Sequence, residues 1–146
     1  MTEKERKDDL KKRLYRYRDL KAERGDIAAA YHALADPKNA NIDGMPKSPG
    51  TGDPLISITE QRRQLVKKYH DKLEEIDAAL LMVENMIEGL EPTARRIMRC
   101  RYIDGLPWEK VCVAVGYSWS QTHDYHAKAL DALLAAEAEK EAAANV

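Results

Sequence analysis

"GYSWSQTHDYHAKALDALL", running from Gly116 to Leu134, decides how the chain is read. Glycine enters the left-handed conformation that ends a helix at little cost. A serine two residues later can accept a hydrogen bond from the exposed amides of a new helix. Gly116 is therefore a helix stop, and Ser118 is the N-cap of a helix from Trp119 to about Ala135. The same stretch holds His123 and His126, two of the four histidines. At 100° per residue, Thr122, Tyr125, Ala129 and Leu133 share an inward face, with His126 at its edge. Ser120, Asp124, Ala127 and Asp131 point away, flanked by His123 and Lys128.

A zinc site would recruit Cys100, Cys112, His123 and His126. The cysteines do not have the close spacing of a zinc finger, and the histidines lack the HExxH context of a metalloprotease helix. His126 is expected to be a boundary residue with a satisfied hydrogen bond. His123 is expected to be exposed and able to touch a phosphate or a base edge. No metal and no cofactor is expected.

Working outward, Pro92 suits the first helical position and opens a helix through Ile103. Asp104-Gly105-Leu106 is a turn signal, and Pro107 to Val115 forms the helix that Gly116 stops. Helix, short glycine turn and helix with a polar outer face make up the helix-turn-helix layout. Further upstream, Glu3 to Ala35 is built of good helix formers with Gly25 as its weak point. Asp36 to Pro54 is rich in proline and glycine and reads as a linker or long loop.

A second long helix is predicted from Ser57 or Thr59, either able to cap it, to about Glu88. Leu65, Tyr69, Leu73, Ile76, Leu80, Val83, Ile87 and Leu90 follow steps of three and four, close to a heptad seam. The first helix, a second copy of the chain, or both would cover that seam. The expected fold class is all-α: a long helical hairpin followed by a compact helix-turn-helix domain. Its divisions are 1–89, a hairpin arm with loop 36–56; 90–135, the helix-turn-helix; and 136–146, an acidic Ala-rich tail.

Composition narrows the function classes. The 146 residues carry a formal net charge of −1, so no global attraction to a polyanion is available. Charge is unevenly placed, however, with ten Lys/Arg against six Asp/Glu in residues 1–24. Two cysteines suit a reducing compartment. The start "MTEKERKDDLKKR" lacks the apolar core of a signal peptide, and no run of eighteen apolar residues occurs. A cytoplasmic protein with no membrane contact is expected. There is no Gly-rich phosphate loop, nucleophile motif or carboxylate cluster at ligand spacing, so catalysis is not expected. Glu74, Glu75 and Asp77 read as solubility charges.

"LEPTARRIMRCRYIDGLPWEKVCVAVGYSWSQTHDYHAKALDAL" resembles region 4 of the sigma-70 family over about 45 residues. The likeness is carried by Leu90-Glu91-Pro92, Arg101-Tyr102, the "DGL" turn, Trp108-Glu109, Gly116-Tyr117-Ser118 and Ala127 to Leu130. With the long helical first half and the loop "DGMPKSPGTGDP", the chain is similar to small phage and prophage late-gene activators of the RinA and ArpU type. That resemblance implies a sequence-specific DNA-binding transcriptional regulator, phage- or prophage-encoded, in a bacterial host. The sigma family carries charged readers where this chain has Trp119, Ser120 and Gln121, so standard −35 recognition is not expected. Lys110 stands where the family has Glu, leaving Glu109 as the acid that could pair with Arg101.

On this reading double-stranded DNA is the partner. Trp119, Ser120, Gln121, His123 and Asp124 would face base edges in the major groove, with Gln121 suited to adenine and Asp124 to cytosine N4. Arg95, Arg96, Arg99, Ser118 and Lys128 would meet phosphates. The basic run "KKRLYRYR", Lys11 to Arg18, either adds phosphate contacts or forms an exposed face among interleaved acids. Segment 90–135 carries six Lys/Arg against five Asp/Glu, a net of +1, so one copy should bind weakly and a homodimer is expected. Two alternatives remain: a terminase small subunit-like packaging adaptor, and a sigma-like module that binds RNA polymerase.

Overall fold

In the computed structural model, residues 2–36 and 53–145 are described, with the backbone alone for 53–56. Loop 37–52 lies outside the described residues, and with it the question of whether the Pro/Gly stretch is ordered. Among the described residues every element is helical: α1 (Glu3–Ala35), α2 (Asp53–Glu88), α3 (Pro92–Met98), α4 (Trp108–Val115) and α5 (Trp119–Ala144). Helix α3 widens into a π-turn over Arg99–Ile103.

The limits of α1 match the sequence reading. Its start is fixed by a pair not foreseen: Thr2 Oγ1 accepts from the Glu5 amide at 3.2 Å, and Glu5 Oε2 accepts from the Thr2 amide at 3.0 Å. This reciprocal capping satisfies two amides that would otherwise lack partners. Helix α2 begins at Asp53, earlier than the predicted Ser57 or Thr59. Pro54 accounts for the difference, because a first-turn residue has no intrahelical acceptor for its N–H and loses nothing by lacking one. Helix α5 runs to Ala144 rather than ending near Ala135, so the expected tail 136–146 is helical through Ala144. Ala, Glu and Lys dominate there and favour helix.

The chain divides into two compact units: Met1–Leu20 with Ala79–Val146, and Lys21–Ala78. The boundary expected at residues 89 and 90 therefore falls inside the first unit. Its physical cause is a shared core. Leu10, Leu14 and Tyr17 of α1, Val83 and Ile87 of α2, Ala94 and Met98 of α3, Tyr102 and Ile103 of the π-turn, and Ala129, Leu130 and Leu133 of α5 form one buried cluster. Burying each large side chain contributes roughly 1.5–3 kcal/mol, so the arm residues are integral to this unit. Tyr17 also donates to Glu84 Oε1 at 2.9 Å, and burial with that bond pushes its hydroxyl pKa up to about 12. A smaller cluster, Ile97, Val111 and Val115, seats α4 with Leu106, Trp108, Tyr117 and Tyr125 around it.

Within the second unit α1 and α2 run antiparallel. Arg24 pairs with Asp77, the ring of Tyr31 lies 6.2 Å from that of His70, and Arg62 donates to the Leu34 carbonyl. From Arg24 to Tyr31 and from Asp77 to His70 both steps are seven residues, in opposite directions. The two long helices thus pair within one chain. Ile76 is buried, whereas Leu65 at the far end of the expected seam is 37% exposed.

Candidate nucleic-acid interface

The turn between α4 and α5 follows from three residues. Gly116 takes φ 76°, and its amide donates to the Cys112 carbonyl at 2.9 Å, closing α4. Ser118 is extended, and its hydroxyl oxygen accepts from the Gln121 amide at 3.2 Å. Gln121 Oε1 reaches back to the Ser118 amide at 3.3 Å. Gln121 was expected to read adenine; its carboxamide instead completes the capping box that starts α5.

The orientation of α5 follows the expected wheel. Thr122, Ala129 and Leu133 are buried and Tyr125 is half-buried, while Ser120, Asp124, Ala127, Lys128 and Asp131 are exposed. Thr122 Oγ1 is fully enclosed with no hydrogen-bond partner among the described residues. His126 is buried, as its edge position suggested, and its Nε2 shares a 2.6 Å hydrogen bond with the Tyr102 hydroxyl. Burial first, then the nearby positive charges of Lys11 and Arg101, push the His126 pKa down to about 4. Burial likewise raises that of Tyr102 far above its ordinary value.

His123 departs from expectation. It is half-buried, not exposed, and its imidazole lies between two indoles, 4.5 Å from the Trp108 ring and 4.4 Å from the Trp119 ring. Its Nδ1 is 2.9 Å from the Trp119 carbonyl oxygen. The stack continues behind Trp108, where the Arg101 guanidinium sits 4.8 Å from the indole centre and 5.4 Å from the ring of Tyr15 on α1. Arg101 also donates to the Leu106 carbonyl at 3.1 Å and to the Tyr15 hydroxyl at 3.0 Å. Those bonds occupy the group expected to meet Glu109. Trp119, at the front of the stack, is 54% exposed.

The residues expected to meet phosphate are split. Arg96 donates to the Ala114 carbonyl at 3.1 Å, beside the turn that leads into α5. Arg95 pairs with Glu88 at 3.2 Å, which offsets its charge. Arg99 is exposed, and its charge is felt by Tyr17 of α1. Lys128 is exposed, and Ser118 is occupied as the cap. Cys100 and Cys112 are free, half-buried thiols. The potential ligand cluster among the described residues lies elsewhere, at His70, Asp71 and Glu74, all exposed.

The ring stack through Tyr15, Arg101 and Trp108 was not foreseen by the sequence reading, whereas the run Lys11 to Arg18 already stood among the candidates for phosphate contact. The spacing of Lys11, Tyr15 and Arg18, at i, i+4 and i+7, is the signal that places them on one face. Nothing local says which neighbour that face meets. No helix among the described residues is long and apolar enough to cross a membrane. Compared with known proteins, the chain matches no family model, and neither a curated protein nor a solved structure matches it at a significant level.

Proposed function

We propose that this protein is a sequence-specific DNA-binding regulator that lays the first turns of α5 in the major groove. The supporting observation is the α4–Gly116–α5 arrangement, in which a capped helix start carries a polar outer face on a buried inner one. Free first-turn amides and the positive end of the helix favour phosphate there. Ser120 and Asp124 are the exposed polar groups that can meet base edges, Trp119 can pack on a thymine methyl or a sugar, Lys128 follows Asp124 by one turn of α5, and Arg96 holds the Ala114 carbonyl before the turn. Gln121 and His123 serve the helix start and the ring stack, so the readers are fewer than the sequence suggested.

With a net charge of only +1 over 90–135, two linked copies would supply the phosphate contacts that one lacks. The phage or prophage setting rests on the resemblance to late-gene activators described above. The test is selection of bound duplexes from a random library by wild type and by Ser120→Ala/Asp124→Ala. Enrichment of a motif that relaxes in the variant supports base readout by α5, and a repeated half-site gives the dimer spacing. Absence of any enriched motif with wild type would overturn the reading in favour of a packaging adaptor or a polymerase-binding module.

A further inference from the structure

The Tyr15–Arg101–Trp108–His123–Trp119 stack physically joins a face of α1 to the start of α5. On that face of α1, Lys11, Tyr15 and Arg18 follow one another along one side. The Arg18 side chain lies over Gly105, where an added Cβ would run into it. Lys11 is close enough to α5 for its charge to act on buried His126. Neither Lys11 nor Arg18 makes an ion pair among the described residues, whereas Lys7, one turn before Lys11 on the same side of α1, and Arg13, on another side, pair with Asp131 and Glu137 of α5. Lys11 and Arg18 are thus the cations of this side that no carboxylate offsets by direct contact among the described residues. Tyr15 is 47% exposed and presents its ring between them.

We propose that the Lys11–Tyr15–Arg18 face of α1 is a second nucleic-acid contact surface, which takes the phosphates of the duplex flanking the segment read by α5. The proposal rests on the DNA-binding reading above and deepens it. The contact is electrostatic and sequence-independent, and it extends the footprint beyond the helix-turn-helix itself. Charge complementarity identifies the occupant: a rigid polyanion that lies against Trp119 and continues along the stack meets Arg18 and Lys11 next.

The test compares two full-length variants of equal charge. Lys11→Gln/Arg18→Gln removes the proposed contacts, and Lys12→Gln/Arg16→Gln removes two exposed cations pointing elsewhere on α1. Each is checked for unchanged helicity and melting, then titrated with a duplex of random sequence over a range of salt concentrations. Two phosphate contacts correspond to a loss of about 1.8 in the slope of log affinity against log salt. That loss is expected for Lys11→Gln/Arg18→Gln alone. Equal slopes for the two variants overturn the proposal, and leave base reading by α5 standing if wild type still selects a motif. Generic binding with the expected slope loss but no selected motif would keep the proposal and sink the sequence-specific reading. No duplex binding by wild type at any salt would overturn both.

Discussion

His126 offers the sharpest test of the packing. Its folded-state pKa is about 4, against about 6.5 for an unperturbed histidine. The folded state therefore holds this ring neutral while the unfolded chain protonates it. Its contribution is fully present above pH 6.5 and is lost as pH falls through that value toward 4, because the unfolded state then binds the extra proton. A gap of about 2.5 units at 1.36 kcal/mol per unit is about 3 kcal/mol across that window. His126→Gln keeps a group able to hydrogen-bond the Tyr102 hydroxyl but removes the titration. Urea unfolding of both proteins at intervals from pH 7.5 to 4 should show the wild type falling more steeply, with the difference accumulating between pH 6.5 and 4. Paired carboxylates such as Asp77, whose pKa is lowered by Arg24, titrate in both proteins and cancel in the comparison. Parallel curves over that window would refute the account of His126 as a neutral, desolvated core residue.

Other substitutions probe single features. Thr122→Val replaces an enclosed hydroxyl that has no partner with a methyl of the same shape, and should be neutral or stabilising by up to about 1 kcal/mol in chemical denaturation. Ser118→Ala removes the N-cap of α5 and should cost about 1 kcal/mol by the same assay, with weakened duplex binding if the helix start is the reading element. Gly105→Ala must adopt φ +70° and displace Arg18, so a loss of roughly 1–3 kcal/mol is expected. Arg18→Ala combined with Gly105→Ala should recover the part due to collision, and an unchanged loss would assign the whole cost to the backbone.

Local chemistry made parts of this fold legible. Gly116 and Ser118 mark their positions because left-handed backbone and amide capping each select few residue types. The inward face of α5 followed from spacing alone, since Thr122, Ala129 and Leu133 fall on one side whatever they pack against. The role of α1 was half hidden: the first helix was expected to cover the α2 seam, but nothing in the spacing of Leu10, Leu14 and Tyr17 pointed to α3 or α5. Only the fold shows that they share a core with those helices as well. His123 misled because an imidazole flanked by polar neighbours on a wheel looks solvent-facing. Trp119, one turn before it on α5, is a neighbour that the wheel could place, but Trp108 comes from α4, and a stacking partner 15 residues away leaves no periodic trace. Arg101 was assigned an acid partner by analogy, yet a planar guanidinium is equally well held by ring faces and carbonyl oxygens.

The first unit is assembled from two separate stretches of chain, with Lys21–Ala78 inserted between them. That order has a consequence for biosynthesis. Leu10, Leu14 and Tyr17 leave the ribosome well before Ala129, Leu130 and Leu133 exist to cover them. At about 5–20 residues per second the interval is on the order of ten seconds. Until then a nascent α1 carries an apolar stripe without its full native cover, open to chaperones or to the α1 of a neighbouring nascent chain.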